Sequence, residues 1–149
     1  MLRIERTNSE NPNFEKLVVL LDSYLAVLDG EDHAFYAQFN KTNFITEVIV
    51  AYENEEAVGC GAFKKYDEQT VEIKRMYVLP DFRGKKIAQS LLSELEKWAA
   101  QLGFLACILE TGYKQEAAIK LYHNCGYHDI ENYGQYIGIE NSVCMKKNL

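Results

Sequence analysis

The sequence predicts a mixed α/β fold: a central, mostly antiparallel sheet of about seven strands with about four flanking helices. Three observations predict it. Two long stretches, residues 14–28 and 87–102, place apolar side chains at steps of three and four, the spacing of a helix with one buried stripe. Three runs rich in β-formers, residues 46–52, 57–65 and 70–79, are separated by short polar turns, the pattern of an antiparallel meander. The third run leads through a short loop into the helix at 87–102 and then to an apolar run at 105–110. A helical crossover of that kind joins parallel neighbours.

Taken in order, residues 2–6 form a short first strand and residues 7–13 a polar loop containing Pro12. In the first helix Phe14, Leu17, Val18, Leu21, Leu25 and Leu28 make the stripe, and Asp29-Gly30-Glu31-Asp32 breaks it. Residues 33–40 (HAFYAQFN) form a second short helix. The meander strands follow, with turns at 53–56 and 66–69. Ile87, Ala88, Leu91, Leu92, Leu95, Trp98, Ala99 and Leu102 make the stripe of the long helix, and Gly103 stands where a left-handed cap is expected. After the buried strand at 105–110 and the loop Thr111-Gly112-Tyr113, residues 115–125 are helical, with Ala118, Leu121, Tyr122 and Cys125 on one side and Gly126 as the stop. Residues 127–133 and 137–146 finish as two strands around Gly134 and Gly138. The order is β-α-α-β-β-β-α-β-α-β-β, without repeat, low-complexity segment or linker, so residues 1–149 are expected to form one domain.

A chain of 149 residues suits one substantial core. A formal net charge of -6 argues against wholesale binding of nucleic acid. The N-terminus has no apolar core of signal-peptide length, and no apolar run is long enough to span a bilayer. These features point to a cytoplasmic chain with neither nucleic-acid nor membrane partners. Cys60, Cys107, Cys125 and Cys144 are scattered without C-x-x-C pairs, which argues for buried free thiols and against a metal site. Cys125 lies close to His123 and His128, yet a nucleophilic thiol also needs an electropositive setting. Gly59-Cys60-Gly61 opens like a dinucleotide-binding fingerprint, but residues 62–66 continue as strand rather than helix, which excludes it.

The chemistry gathers at the loop Asp81-Phe82-Arg83-Gly84-Lys85. A strand that runs through a basic, glycine-containing turn into a helix N-terminus offers unpaired N–H groups and a partial positive charge, with Arg83, Lys85 and Lys86 beside it. That is the physics of a phosphate site, although a strand–loop–helix unit also carries basic residues at its turn for no ligand at all. The run Arg83-Gly84-Lys85-Lys86-Ile87-Ala88, preceded by Tyr77-Val78-Leu79-Pro80, resembles the pyrophosphate-binding motif Q/R-x-x-G-x-G/A of the GNAT N-acetyltransferase superfamily. Arg83 and Ala88 match, and Lys86 stands where the family favours glycine. The segment Ala118-Ile119-Lys120-Leu121-Tyr122-His123-Asn124-Cys125-Gly126-Tyr127 resembles the family's A-x-x-L-Y-x-x-x-G-F, with Tyr127 in place of Phe. The resemblance in element order covers nearly the whole chain and is strongest over residues 71–127.

The resemblance implies the GNAT acyl-CoA N-acyltransferase fold, acetyl-CoA as cosubstrate, no metal, and transfer of an acetyl group to the primary amine of a small-molecule acceptor by direct attack in a ternary complex. It implies that backbone groups of Met76, Tyr77 and Val78 hold the pantetheine arm where this strand parts from its parallel neighbour. Arg83, Gly84, Lys85, Lys86, Ile87 and Ala88 would bind the diphosphate, and Gln115 stands near a position where relatives carry an asparagine. Tyr122 would protonate the departing thiolate; its alternative is a core tyrosine. Glu72 is the expected base, acting through water, with a plain ion pair to Lys74 or Arg75 as its alternative; alternation puts Glu72 on the face of Lys74, Met76 and Val78. His33 is a second candidate base. His33, Tyr36, Glu72, Glu110 and Tyr133 are expected to face the acceptor, with Phe35, Phe39 and Tyr136 as further aromatic candidates. Edge strands near the C-terminus leave room for a homodimer. Two other functions fit the same residues: a non-catalytic acyl-CoA-binding regulatory module, and a peptide or protein N-acetyltransferase.

Overall fold

The computed structural model describes residues 1–38 and 45–149. Among the described residues seven strands form one sheet: β1 (Leu2–Thr7), β2 (Glu47–Glu53), β3 (Glu56–Lys65), β4 (Thr70–Val78), β5 (Ala106–Gly112), β6 (His128–Ile130) and β7 (Ser142–Asn148). Their order across the sheet is β1-β2-β3-β4-β5-β7-β6, and every neighbouring pair is antiparallel except β4 with β5. The helices are α1 (Pro12–Asp29), the single short turn α2 (His33–Ala37), α3 (Ile87–Gln101) and α4 (Glu116–Asn124). No helix among the described residues is long and apolar enough to cross a membrane.

Period-two alternation sends the two faces of the sheet to different partners. Ile49, Ala51, Val58, Phe63, Val71 and Ile73 pack with Leu91, Leu92, Leu95 and Ala99 of α3 and Tyr122 of α4. Val48, Val50, Tyr52, Cys60 and Ala62 pack with Phe14 and Leu17 of α1. Gly59 and Gly61 let α3 approach β3 closely. A Cβ on Gly61 would lie 2.7 Å from Met76 Sδ and 3.0 Å from Leu95 Cδ1, and one on Gly59 would lie 3.0 Å from the Tyr77 carbonyl oxygen.

The helix ends follow capping chemistry. α1 begins before its apolar stripe because the Asn11 side chain accepts from the N–H groups of Asn13 (2.9 Å) and Phe14 (3.2 Å), with Pro12 in the first turn. Gly103 (φ 93°) takes the left-handed conformation expected of it after α3, and Gly126 (φ 96°), expected as the stop of α4, takes it too.

Several boundaries differ from expectation. The α3 stripe ends at Ala99, and Leu102 and Leu105 are exposed. Thr111 and Gly112 are strand rather than loop, because they pair with Val143 and Ser142 of β7. The expected strand at 127–133 shrinks to β6, and the expected start at 137 moves to Ser142. Between them Asn132 donates through Nδ2 to the carbonyls of Tyr136 (3.0 Å) and Ile139 (2.8 Å), which closes the chain into a turn with Gly134–Tyr136 as a 3-10 segment. Residues 39 and 40 of the expected second helix, Phe39 included, lie outside the described residues.

Candidate active site

The site begins with a parting of strands. β4 and β5 pair only at Thr70↔Ala106, Val71↔Cys107 and Glu72↔Ile108. Beyond Glu72 the two strands run on without pairing to each other, which leaves backbone groups of both free for a ligand. A bulge in β4 accompanies this. Cys60 faces Tyr77, but Ala62 faces Lys74, so Arg75 and Met76 together oppose Gly61. Arg75 takes φ 60°, rare for a residue with a side chain. Its guanidinium is buried and paired with Asp22 of α1.

The bulge corrects the expected alternation. Glu72 and Lys74 do share a face, but after the extra residue Met76 and Val78 turn to the α3 side, where they pack with the main core, while Tyr77 packs towards α1.

Two cavities meet where the strands part. The first, a cleft of about 460 Å³, runs from the split over the start of α3 to α4; its walls include Met76, Tyr77, Val78, Arg83, Gly84, Lys86, Ile87, Ala88, Gln115 and Tyr122. Every residue expected to hold the coenzyme is among these except Lys85, whose ammonium turns instead over the Phe82 ring at 5.1 Å. The loop is shaped for an anion. Gly84 (φ 79°) and Lys86 (φ 64°) are both left-handed, no side chain caps α3, and the first helical bond runs only from Ser90 N–H to the Lys86 carbonyl. The N–H groups of Ile87, Ala88 and Gln89 therefore precede the helical ladder. Lys86 adopts the backbone a glycine would adopt, so the change from the motif glycine leaves the bend intact. Arg83 donates from Nε to the Val78 carbonyl at 3.0 Å, which ties the loop to the end of β4.

The second cavity, about 90 Å³, lies on the α1–α2 side of the split, lined by Asp29, Tyr36, Glu72, Lys74, Arg75, Glu110, Thr111 and Tyr136 among others. It shares Leu21, Met76, Gln115 and Tyr122 with the cleft. Of the residues expected to face an acceptor, Tyr36, Glu72 and Glu110 line it directly. Tyr133 stands behind, donating its hydroxyl to Glu72 Oε2 at 2.7 Å, and His33 is not part of the lining. Glu72 has Lys64 at 3.8 Å rather than an ion pair with Arg75. Sequence reasoning gave no functional weight to Asp29 or Lys74. They come from two separate elements, and the only available signal was charge inside or at the edge of otherwise apolar runs.

Burial dominates the electrostatics. It pushes the Glu110 carboxyl up to about 7, against the pull of the Ser142 hydroxyl and the Lys74 cation. It lowers Lys74 and raises Asp29. It raises Tyr122 well above an ordinary phenol, with Cys125 and Glu110 adding to the effect, so the group stays protonated. Burial likewise pushes Cys60 and Cys107 up to about 12 and Cys144 up to about 11, and no cysteine lines either cavity among the described residues. No group of three or more His, Cys, Asp or Glu side chains among those residues could hold a metal ion.

Comparison with known proteins places this geometry. The family model described as acetyltransferase (GNAT) family matches residues 14–127. An IAA acetyltransferase of Azospirillum brasilense is 38% identical over 102 residues, covering 68% of this chain and 67% of that protein. A crystal structure of a Klebsiella pneumoniae protein described as an acyl-CoA N-acyltransferase superposes with a TM-score of 0.85 at 31% identity, covering 100% of this chain and 98% of the other. A Thermoplasma acidophilum N-acetyltransferase solved in complex with coenzyme A shares the fold at a TM-score of 0.74 and 18% identity, covering 100% of this chain and 99% of the other. The chain belongs to the GNAT acetyltransferase family, and it is an acetyl-CoA-dependent N-acetyltransferase.

Proposed function

We propose that residues 1–149 form one catalytic domain that acetylates the primary amine of a small molecule, by direct attack of the amine on acetyl-CoA within a ternary complex. The observation that carries this reading is the junction of the two cavities at Leu21, Met76, Gln115 and Tyr122. A thioester in the cleft and an amine in the carboxylate-bearing cavity would lie side by side, so nothing has to move between half-reactions. A relay through a cysteine needs a reactive thiol at the junction, whereas no cysteine lines either cavity among the described residues and burial raises Cys60, Cys107 and Cys144. The small, charged cavity favours a compact polar amine over an extended peptide.

In this reading the diphosphate rests on the loop from Arg83 to Ala88, and a β4 N–H in the segment Met76 to Val78 holds the thioester carbonyl and the developing oxyanion. The Tyr122 phenol gives its proton to the departing sulfur, which avoids expelling a bare thiolate. Burial makes the tyrosinate costly, so the phenol must recover a proton within the same turnover, and the attacking nitrogen has one to give.

The test is a screen of purified protein with acetyl-CoA against amino acids, polyamines, aminoglycosides and short peptides, read as free thiol release. Once an acceptor is found, initial velocities with both substrates varied should give intersecting lines. Parallel lines, or an acetylated protein isolated after mixing with acetyl-CoA alone, would overturn direct transfer.

A further inference from the structure

The acceptor cavity holds two carboxylates that could receive the amine's proton, and their surroundings differ. Glu72, the expected base, already accepts from the Tyr133 hydroxyl at 2.7 Å through Oε2, and Lys64 stands 3.8 Å from Oε1. Glu110 stands on β5 two residues beyond Ile108, the last residue paired with β4, and it lines the cavity at the mouth of the split. Its Oε2 is buried and has no hydrogen-bond partner among the described residues. The other buried side-chain polar atoms in that condition are Arg75 Nε and Thr111 Oγ1, and both residues line the same cavity. Native proteins seldom leave buried polar atoms unsatisfied, and three such atoms on one cavity are the groups that a polar ligand entering it would meet.

We propose that Glu110, rather than Glu72, is the catalytic base: its carboxylate takes the proton from the acceptor's ammonium on the opposite side of the parted strands from the Tyr122 phenol. The proposal rests on the reading that the acceptor is an amine. The groups facing Glu110 come from every element around it: Asp29 of α1, Tyr36 of α2, Glu72 and Lys74 of β4, Tyr122 of α4, Tyr136 of the 3-10 segment, and Ser142 and Cys144 of β7. Burial, Asp29 and Glu72 hold its proton on, and Ser142 and Lys74 oppose them, which brings the carboxyl to about 7. A base poised near neutrality is both available as the anion and strong enough to accept. Glu72, held by Tyr133, becomes a positioning residue that keeps a negative charge near the ammonium.

The ammonium passes one proton to Glu110, and the freed lone pair forms the N–C bond to the thioester carbonyl as the π pair moves onto oxygen. When the oxyanion collapses, the C–S bond breaks, its electron pair leaves on sulfur, and sulfur takes the Tyr122 proton. The nitrogen, still carrying one proton too many, returns one to the tyrosinate, and Glu110 releases its own to solvent. The products are the amide, coenzyme A thiol and one proton.

Glu110→Gln and Glu72→Gln would be compared at saturating acetyl-CoA with two probe amines. One is ethanolamine, an ammonium at neutral pH, and the other is 2,2,2-trifluoroethylamine, largely neutral there. In the parent protein kcat/KM for ethanolamine should fall tenfold per pH unit below about 7. In Glu110→Gln, turnover of ethanolamine should drop by about 10²–10⁴-fold and the acid limb should vanish. Turnover of trifluoroethylamine, which has no proton to surrender before attack, should drop far less. Glu72→Gln should keep the limb. An acid limb that survives in Glu110→Gln, equal losses with both amines, or a limb abolished by Glu72→Gln would each overturn the assignment. If the parent protein acetylates neither amine, that result counts against the small-amine reading. The carbon-13 titration of the Glu110 carboxyl in the coenzyme A complex then decides the base: a midpoint near 7 supports it, and one in the ordinary carboxylate range overturns it.

Discussion

Tyr122 shows how one residue serves two ends. Its ring packs in the main core against Tyr127, centroids 5.8 Å apart, while its place in both cavity walls sets the residue at the junction that the proposed reaction uses. Tyr122→Phe keeps the ring and removes only the acid. Turnover should therefore fall by about 10²–10⁴-fold, with coenzyme affinity by calorimetry nearly unchanged. Comparable turnover in the variant would leave the tyrosine with packing alone. Lys86 presents the opposite case, a side chain on a backbone that suits glycine. A left-handed L-residue costs about 1–2 kcal/mol, part of which glycine gives back in chain entropy. Lys86→Gly should raise stability in urea by about 0.5–1 kcal/mol. Because one cation leaves the cleft wall, coenzyme affinity in the variant should also depend less steeply on salt.

At the scale of elements, the β4 bulge organises the site, and the sequence does not announce it. Bulges of this kind often place glycine at the left-handed position, but here Arg75 occupies it, so neither composition nor periodicity breaks. The buried Arg75 guanidinium there pairs with the half-exposed Asp22, a residue far away in sequence on α1. The opposing strand carries a visible trace. Gly59-Cys60-Gly61 is correctly dismissed as a nucleotide fingerprint, and its real purpose is steric: it admits Leu91 and Leu95 of α3 against the bulged strand. Gly61→Ala would press a methyl group onto Met76 and Leu95, and should cost about 1–3 kcal/mol, read as a lower urea midpoint at unchanged slope. Because Met76 also lines the cleft proposed for the coenzyme, the same variant should weaken coenzyme binding; a destabilised protein with full coenzyme affinity would separate the packing of α3 from the shape of the split. The ends of α3 and α4 were legible because Gly103 and Gly126 mark them locally, whereas the Asn11 cap went unread and α1 starts ahead of its apolar stripe. The C-terminal strands were not, because the Asn132 contacts that shorten β6 join residues a turn apart without any hydrophobic signature.

For the whole molecule, the two halves of the site were legible to different degrees for a topological reason. The loop from Arg83 to Ala88 proposed for the coenzyme is contiguous, so its residues announce one another, whereas the cavity proposed for the acceptor is assembled from α1, α2, β4, β5, α4 and the segment before β7. Folding must gather Asp29, Glu72, Lys74 and Glu110 into one cavity, and that concentration of charge sets a global cost. Glu110 carries a measurable part of it. Its carboxyl rises from an ordinary 4.5 to about 7 on folding, so below the unfolded value both states are protonated and nothing is lost. As pH rises through that window the unfolded chain ionises first, and stability declines until Glu110 ionises in the folded state as well. A shift of that size corresponds to about 3 kcal/mol. Glu110→Gln cannot ionise, so it should match the parent protein near pH 4 and exceed its stability by up to about 3 kcal/mol at pH 8, measured by urea unfolding at both values. The same substitution would then make the protein firmer and the enzyme slower, as expected where a costly buried carboxylate is kept for chemistry. Equal stability at the two pH values would mean that Glu110 titrates as it does in the unfolded chain, and the strain attributed to this cavity would have to lie elsewhere.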